Sequence, residues 1–292
     1  MNKIVLILLL LAGLLFAKVN TVVSIAPEAT FVNTIGGDNV AVQTMVQPGN
    51  SPHTYEPKPS QMRAISDADL YFAIGVEFEK AWLPRFKAQN SKMEIIDVTA
   101  GIQKLPMVAA HRHKEGHEHH KNEDTHHQEQ QHLDPHVWLS PSNLKIIAQN
   151  IYRALSAKDP KKSTAYKEGY KKFLAKVEET DKEIKKILNG VQPGTKFMVF
   201  HPSWGYFAKE YNLVQIPIEI EGKNPKPKQL AKLIQEAKEQ HIQAIFTAPE
   251  FSDAIAKAIA QELHIPVIKI SPLAPNWSKN LIKLAKAIAH KK

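Results

Sequence analysis

"DPKKSTAYKEGYKKFLAKVEETDKEIKKILN", residues 159–189, divides the chain into two halves and decides its architecture. Tyr166, Tyr170, Phe173, Val177, Ile184 and Leu188 recur at spacings of three, four or seven, the apolar stripe of one α-helix. Asp159-Pro160 is a start signal, a capping residue followed by a proline at the first helical position, and Asn189-Gly190 is a stop. A helix of about 30 residues at about 1.5 Å per residue reaches about 45 Å. Such a rod makes a stiff connection, unlike a Gly/Ser hinge. Ten lysines between Lys158 and Lys186, mixed with six acids, read as its solvated surface.

On both sides of this helix, short apolar runs alternate with helical patterns. The first half offers strands at Thr21–Ile25, Val40–Val46, Leu70–Gly75 and Glu94–Thr99. The second offers Lys196–Phe200, Val214–Ile220, Ala244–Thr247 and Val267–Ile270. Several are apolar throughout, as strands buried on both faces are. Helical segments such as Pro59–Ala68, Lys228–Gln240 and Ser252–His264 lie between them. Strand–helix alternation predicts an α/β protein of two lobes, each a roughly four-stranded parallel sheet flanked by helices. The predicted divisions are a leader at 1–17, an N-terminal lobe at 18–158, the connecting helix at 159–189 and a C-terminal lobe at 190–292.

Met1-Asn2-Lys3 followed by an apolar run from Ile4 to Ala17 reads as a cleavable export signal. The run is short for a bilayer span, which needs about 20 residues. The 292 residues contain no cysteine, so disulfides, thiolate metal sites and a thioether lipid anchor are excluded from the expectation. Together these features predict a protein of the Gram-negative periplasm without a lipid anchor. The formal net charge of +9 does not imply nucleic-acid binding. The lysines do not interleave with aromatics as they do on a base-stacking surface.

Histidine carries the chemistry. Eight of the fourteen histidines crowd into residues 111–132: His111, His113, His117, His119, His120, His126, His127 and His132. That run holds acids and no apolar residue, so it cannot offset the entropy of ordering its own backbone. It reads as an accessory, multidentate and weak metal binder. A tight site needs ligands held in a fixed geometry. Three other histidines have that support. His53 lies in a Pro/Gly-rich loop after a strand, His136 precedes a helix with Ser140 as N-cap, and His201 directly follows the strand Lys196–Phe200. In open α/β sheets ligands bind beyond the carboxyl ends of strands. Proline beside each histidine stiffens the backbone. His241 and His264 end helices, where a cation suits the helix dipole, and His290 belongs to the tail.

At "SPHTYEPKPSQ" (51–61), "DPHVWLSP" (134–141), "FHPSWGYFAKEY" (200–211) and "IEGKNPKPKQL" (220–230) the sequence resembles the zinc- and manganese-binding solute-binding proteins of metal ABC importers. The resemblance is greatest to the zinc-uptake, ZnuA-like type, and it runs across nearly the whole mature chain. It implies two lobes, a long connecting helix, and Zn²⁺ held between the lobes as transported cargo by His53, His136 and His201. It also implies an ABC permease as partner, a monomeric binding protein and a His-rich loop before the second ligand. Relatives often supply a fourth ligand, an Asp, after the last strand; here the segment reads "ISPLAPNW", with Ser271 at that place. That leaves water or an unplaced carboxylate as the fourth ligand. Three neutral imidazoles suit zinc better than manganese, which favours harder oxygen donors.

The expected function is capture and delivery of Zn²⁺ for uptake, with no catalysis. Two alternatives carry different signatures. A manganese-binding member of the same family would show a pattern of two His and two carboxylates. A three-His zinc hydrolase would need a general base beside an open metal position, and no H-E-x-x-H helix is present.

Overall fold

A computed structural model describes residues 18–107, 133–220 and 223–290. The leader 1–17 and the histidine run 111–132 lie outside the described residues.

The first half forms a parallel sheet from β1 (Val19–Ile25), β2 (Val40–Val46), β3 (Leu70–Ala73) and β4 (Glu94–Asp97), in the order β2-β1-β3-β4. The second repeats the plan with β5 (Lys196–Val199), β6 (Val214–Pro217), β7 (Ile245–Thr247) and β8 (Val267–Lys269), in the order β6-β5-β7-β8. Strand β3, at the centre of the first sheet, is wholly apolar and buried over Leu70–Ala73, as a strand covered on both faces is. Several predicted strands run one to three residues too far at their carboxyl ends. There the chain leaves the ladder: Asp97 turns back to accept from the Thr99 N–H at 2.8 Å, and Gly75 takes φ +88. At β6 the backbone bonding continues past Pro217, with Glu219 N donating to Phe200 O at 3.1 Å.

The nine α-helices among the described residues are α1 (Ala26–Gly36), α2 (Pro59–Ser66), α3 (Glu77–Gln89), α4 (Pro141–Lys158), α5 (Ser163–Leu188), α6 (Gly205–Glu210), α7 (Pro227–Glu239), α8 (Ala254–Leu263) and α9 (Trp277–Ile288). One device recurs in both lobes. Pro-Lys-Pro-x-Gln opens α2 and again α7, each helix following the second strand of its sheet. Proline stands at the first helical position, and the Gln61 and Gln229 side chains accept from the N–H of Lys58 at 3.0 Å and of Lys226 at 2.7 Å.

The connecting helix is shorter than the sequence predicts. Pro160–Lys162 forms a separate 3₁₀ turn, and α5 proper begins at Ser163. It ends at Leu188, where Asn189 turns extended and Gly190 takes φ +92. The apolar stripe behaves as read: Tyr166, Phe173, Val177 and Ile184 are buried, and Tyr170 and Leu188 are half-buried. Helix α5 packs on α1, α4 and α9. Through α9, Trp277 reaches Phe31 and Phe173, at centroid distances of 6.3 and 5.6 Å, so one hydrophobic core runs across both lobes.

Polar ties reinforce that junction. Tyr206 on α6 donates to the Asp134 carbonyl at 2.8 Å and accepts from Leu105 N at 3.0 Å. Glu210 sits at the N-terminus of α4, accepting from Ser142 N at 3.1 Å, Ser142 Oγ at 2.6 Å and the Ser140 hydroxyl. A carboxylate there meets the unsatisfied N–H groups and the positive end of the helix dipole. The indole of Trp138 donates to Pro272 O at 2.8 Å. The two lobes are therefore packed and bonded to each other along the floor of the cleft.

Candidate metal centre

The carboxyl ends of the two sheets face one cavity of about 20 Å³, lined by His53, His136, His201, Glu77, Glu250 and Phe251 among others. A water-sized body needs roughly 10–15 Å³ of such space, so the cavity suits a single small ion rather than an organic ligand. Strand ends deliver the chemistry: His53 comes from the loop after β2, Glu77 from the first residue of α3 after β3, His201 from just beyond β5 and Glu250 from the turn after β7.

Each histidine is placed by a different local cause. The loop bearing His53 is anchored by Gln61, whose amide donates to Met45 O at 2.6 Å while its oxygen accepts from Tyr55 OH. His136 is fixed by Asp134, whose Oδ1 accepts from both its backbone N at 2.9 Å and its ring Nδ1 at 2.7 Å. His201 caps β5 where Phe200 is still bonded into the sheet, and Phe251 stacks on its ring at 4.9 Å. The side chain of His53 is 30% exposed, whereas those of His136 and His201 are 7% and 8% exposed. His53 therefore stands at the mouth of the cavity and the other two stand inside.

The three imidazoles share one pattern. Nδ1 of His53 bonds to Glu77 at 2.6 Å, that of His136 to Asp134 at 2.7 Å, and that of His201 to Glu219 at 2.7 Å. An ionised carboxylate only accepts, so each Nδ1 carries a proton, and in the neutral ring that leaves the Nε2 lone pair free. This is the arrangement that orients histidine for a metal and raises its basicity as a ligand. His201 Nε2 is buried and has no hydrogen-bond partner among the described residues. Burial lowers the His201 pKa below the ordinary value, against the opposing pull of Glu219, which favours the neutral ring a metal requires.

The rings converge, with His53 and His136 lying 4.9 and 5.2 Å from His201 by centroid. Among the described residues, no group of three or more His, Asp or Glu side chains is already disposed as a metal cage. The rings meet edge to face, so admitting a cation between them means separating rings that now touch. His241, His264 and His290 are remote from this cavity; each takes a left-handed φ of 51–54° near a helix end. His241 and His290 line a separate cavity of about 320 Å³ at the amino end of β5, with no carboxylate among the described residues of its walls.

Sequence reasoning missed the carboxylates. Asp134 had a signal, since it opens the same short motif as His136. Glu77, Glu219 and Glu250 come from other strand ends, 24, 18 and 49 residues from His53, His201 and His201, and only the fold brings them in.

The family model described as "Zinc-uptake complex component A periplasmic", ZnuA, matches residues 21–290. A crystal structure of ZnuA superposes with a TM-score of 0.83 at 41% sequence identity, covering 94% of this chain and 99% of that one. The manganese ABC transporter substrate-binding lipoprotein PsaA of Streptococcus mitis is 28% identical over 260 residues, 86% of this chain and 78% of that protein. The zinc-binding protein AdcA of Streptococcus pyogenes is 28% identical over 263 residues, 88% of this chain and about half (50%) of AdcA. Two parallel sheets, a long linking helix and a match over nearly the whole described chain agree: this protein belongs to the ZnuA family of metal ABC transporter substrate-binding proteins, which are solute-binding components and not enzymes.

Proposed function

We propose that this protein captures one Zn²⁺ in the cleft on His53, His136 and His201 and hands it to the membrane permease of an ABC importer. The observation that carries the reading is the common pattern of the three histidines. Each has its Nδ1 engaged by its own carboxylate, and each lines the same ion-sized cavity. Nitrogen donors favour zinc over manganese, and the zinc-uptake description of the family supports the same choice. Relatives named for manganese keep the alternative in play, and metal competition decides it.

In this reading the two interior histidines form the floor of the site and His53 is the gate ligand. It is the exposed member, on a loop, and its release opens the coordination sphere toward solvent and permease. The reading also places the protein in the periplasm as a monomer, with lobes at 18–158 and 190–292. The histidine run at 111–132 is a weak accessory binder tethered beside the cleft. The testing experiment is a zinc competition titration of the wild type and of His53→Ala, His136→Ala and His201→Ala. One tight equivalent, lost or greatly weakened in each variant, is expected. Retention of tight binding in His136→Ala or His201→Ala overturns the assignment. Addition of Mn²⁺ in excess should fail to displace the zinc.

A further inference from the structure

We propose that Glu250 is the fourth metal ligand, supplied by the turn after β7 and held in place by Ser271. The proposal rests on the three-histidine reading above and adds the carboxylate that the sequence left unplaced. Ser271 stands just beyond β8, where a carboxylate would complete the site in the pattern the sequence resembles. A serine hydroxyl is neutral and a poor ligand, and here its bonding leads elsewhere. Its Oγ donates to Glu250 Oε1 at 2.6 Å and accepts from Leu273 N at 3.0 Å. That pair of bonds fixes one oxygen of the Glu250 carboxylate.

The other oxygen, Oε2, is buried and has no hydrogen-bond partner among the described residues. An unmet carboxylate oxygen away from water costs several times an ordinary hydrogen bond's net worth, so such a group calls for an explanation. His201 Nε2 is the other orphan of the same cavity. Both are acceptors in this arrangement, and one cation answers both. Placement agrees. Glu250 lines the same cavity as His53, His136 and His201, and Phe251 beside it stacks on the His201 ring.

A tetrahedral N₃O set is the coordination number zinc prefers. Glu250 thus supplies the oxygen that the Ser271 hydroxyl cannot, with the serine as positioning residue.

The test compares zinc affinity by competition and the visible spectrum of the Co²⁺-loaded protein, in the wild type, Glu250→Gln, Glu250→Gln with Ser271→Asp, and His136→Ala. Gln keeps the shape and the Ser271 bond. Glu250→Gln should bind zinc at least tenfold more weakly, the loss that even outer partners of a metal site cause. It should lose Mn²⁺ binding by a larger factor, and its cobalt bands should shift as water replaces carboxylate. Ser271→Asp should recover most of the zinc affinity. Unchanged affinity and cobalt bands in Glu250→Gln, with zinc lost in His136→Ala, would overturn the Glu250 assignment and leave the three-histidine site standing. Weakened zinc with unchanged cobalt bands would also overturn it, making Glu250 an outer partner. Tight zinc in His136→Ala would remove the underlying reading, and this proposal with it. Thermal unfolding of the metal-free variants checks that each is folded.

Discussion

Nδ1 of His201 lies 2.7 Å from Oε1 of Glu219, and both side chains are 8% exposed. The pair exists because β6 stays bonded to the end of β5: Ile218 N donates to Val199 O at 2.8 Å, and the next N–H, that of Glu219, donates to Phe200 O. The sheet thus sets the acid beside the imidazole, and the imidazole's other nitrogen is turned into the cavity. Removing the acid should disturb the ring's tautomer and aim without removing a ligand. Glu219→Ala is expected to weaken zinc binding by about 10- to 100-fold. Glu219→Gln, which keeps an acceptor, should cost less. Equal affinity in Glu219→Ala and wild type would show that the bond orients nothing.

Gly205 is set by the same neighbourhood. A Cβ at that position would stand 2.7 Å from Asp134 Oδ2 and 3.2 Å from Gln215 Nε2. Asp134 is fully enclosed and already holds His136 through its other oxygen. Gly205→Ala should therefore push Asp134 and turn His136, costing about 1–3 kcal/mol of stability by overpacking. Zinc affinity should fall as well. A stability loss with untouched affinity would mean that His136 is aimed by its backbone alone.

Gly169 answers to backbone. Its Cβ would meet Ile35 O at 2.2 Å and Thr34 O at 2.8 Å, where α5 crosses the end of α1. Neither carbonyl can rotate away as a side chain would, so the helices must part. Gly169→Ala is expected to lower the unfolding midpoint of the metal-free protein by several degrees. The estimate takes at least 1–3 kcal/mol of overpacking and roughly 2–4 °C per kcal/mol for a chain of this size. No change in midpoint would contradict this crossing.

Much of this architecture was legible in the sequence, and the reasons separate what was read from what was not. Strands such as Leu70–Ala73 were visible because burial on both faces writes an unbroken apolar run. The long helix was visible through the stripe from Tyr166 to Leu188. His53, His136 and His201 stood out as loop-end histidines beside prolines, and the structure brings all three to one cavity. Gly169 and Gly205 carry no local signal, since what excludes a side chain there is another segment far away in sequence. Glu77, Glu219 and Glu250 carry none for the same reason. Nothing local marks an acid that only register will place on a histidine.

A buried acid pair away from the histidines makes stability depend on pH. Glu28 Oε2 accepts from Ser24 N at 2.9 Å, and Ser24 Oγ in turn donates to Glu79 at 2.5 Å. Burial, followed by repulsion from Glu79, raises the Glu28 pKa well above 4.5, and burial raises that of Glu79. A raised folded value means the folded state holds protons that the unfolded chain has released. The stability this gives is complete below the unfolded value and is lost as pH rises through the folded one. The limiting slope is about 1.4 kcal/mol per pH unit for each proton held. Glu28→Gln should gain stability relative to the wild type as pH rises from 5 to 8, measured by denaturant unfolding without metal. A constant difference between the two proteins over that range would contradict the assignment.

The most direct measurement is X-ray absorption at the zinc edge, on the singly loaded protein with Arg112–Gln131 deleted. The deletion removes the histidines of the run other than His111 and His132, so any remaining imidazole signal comes chiefly from the cleft. The expected result is one tightly held zinc with three imidazole nitrogens at about 2.0–2.1 Å and one oxygen at about 2.0–2.2 Å. Fewer than three imidazoles, or loss of the tight zinc on deletion, would contradict a site built from His53, His136 and His201.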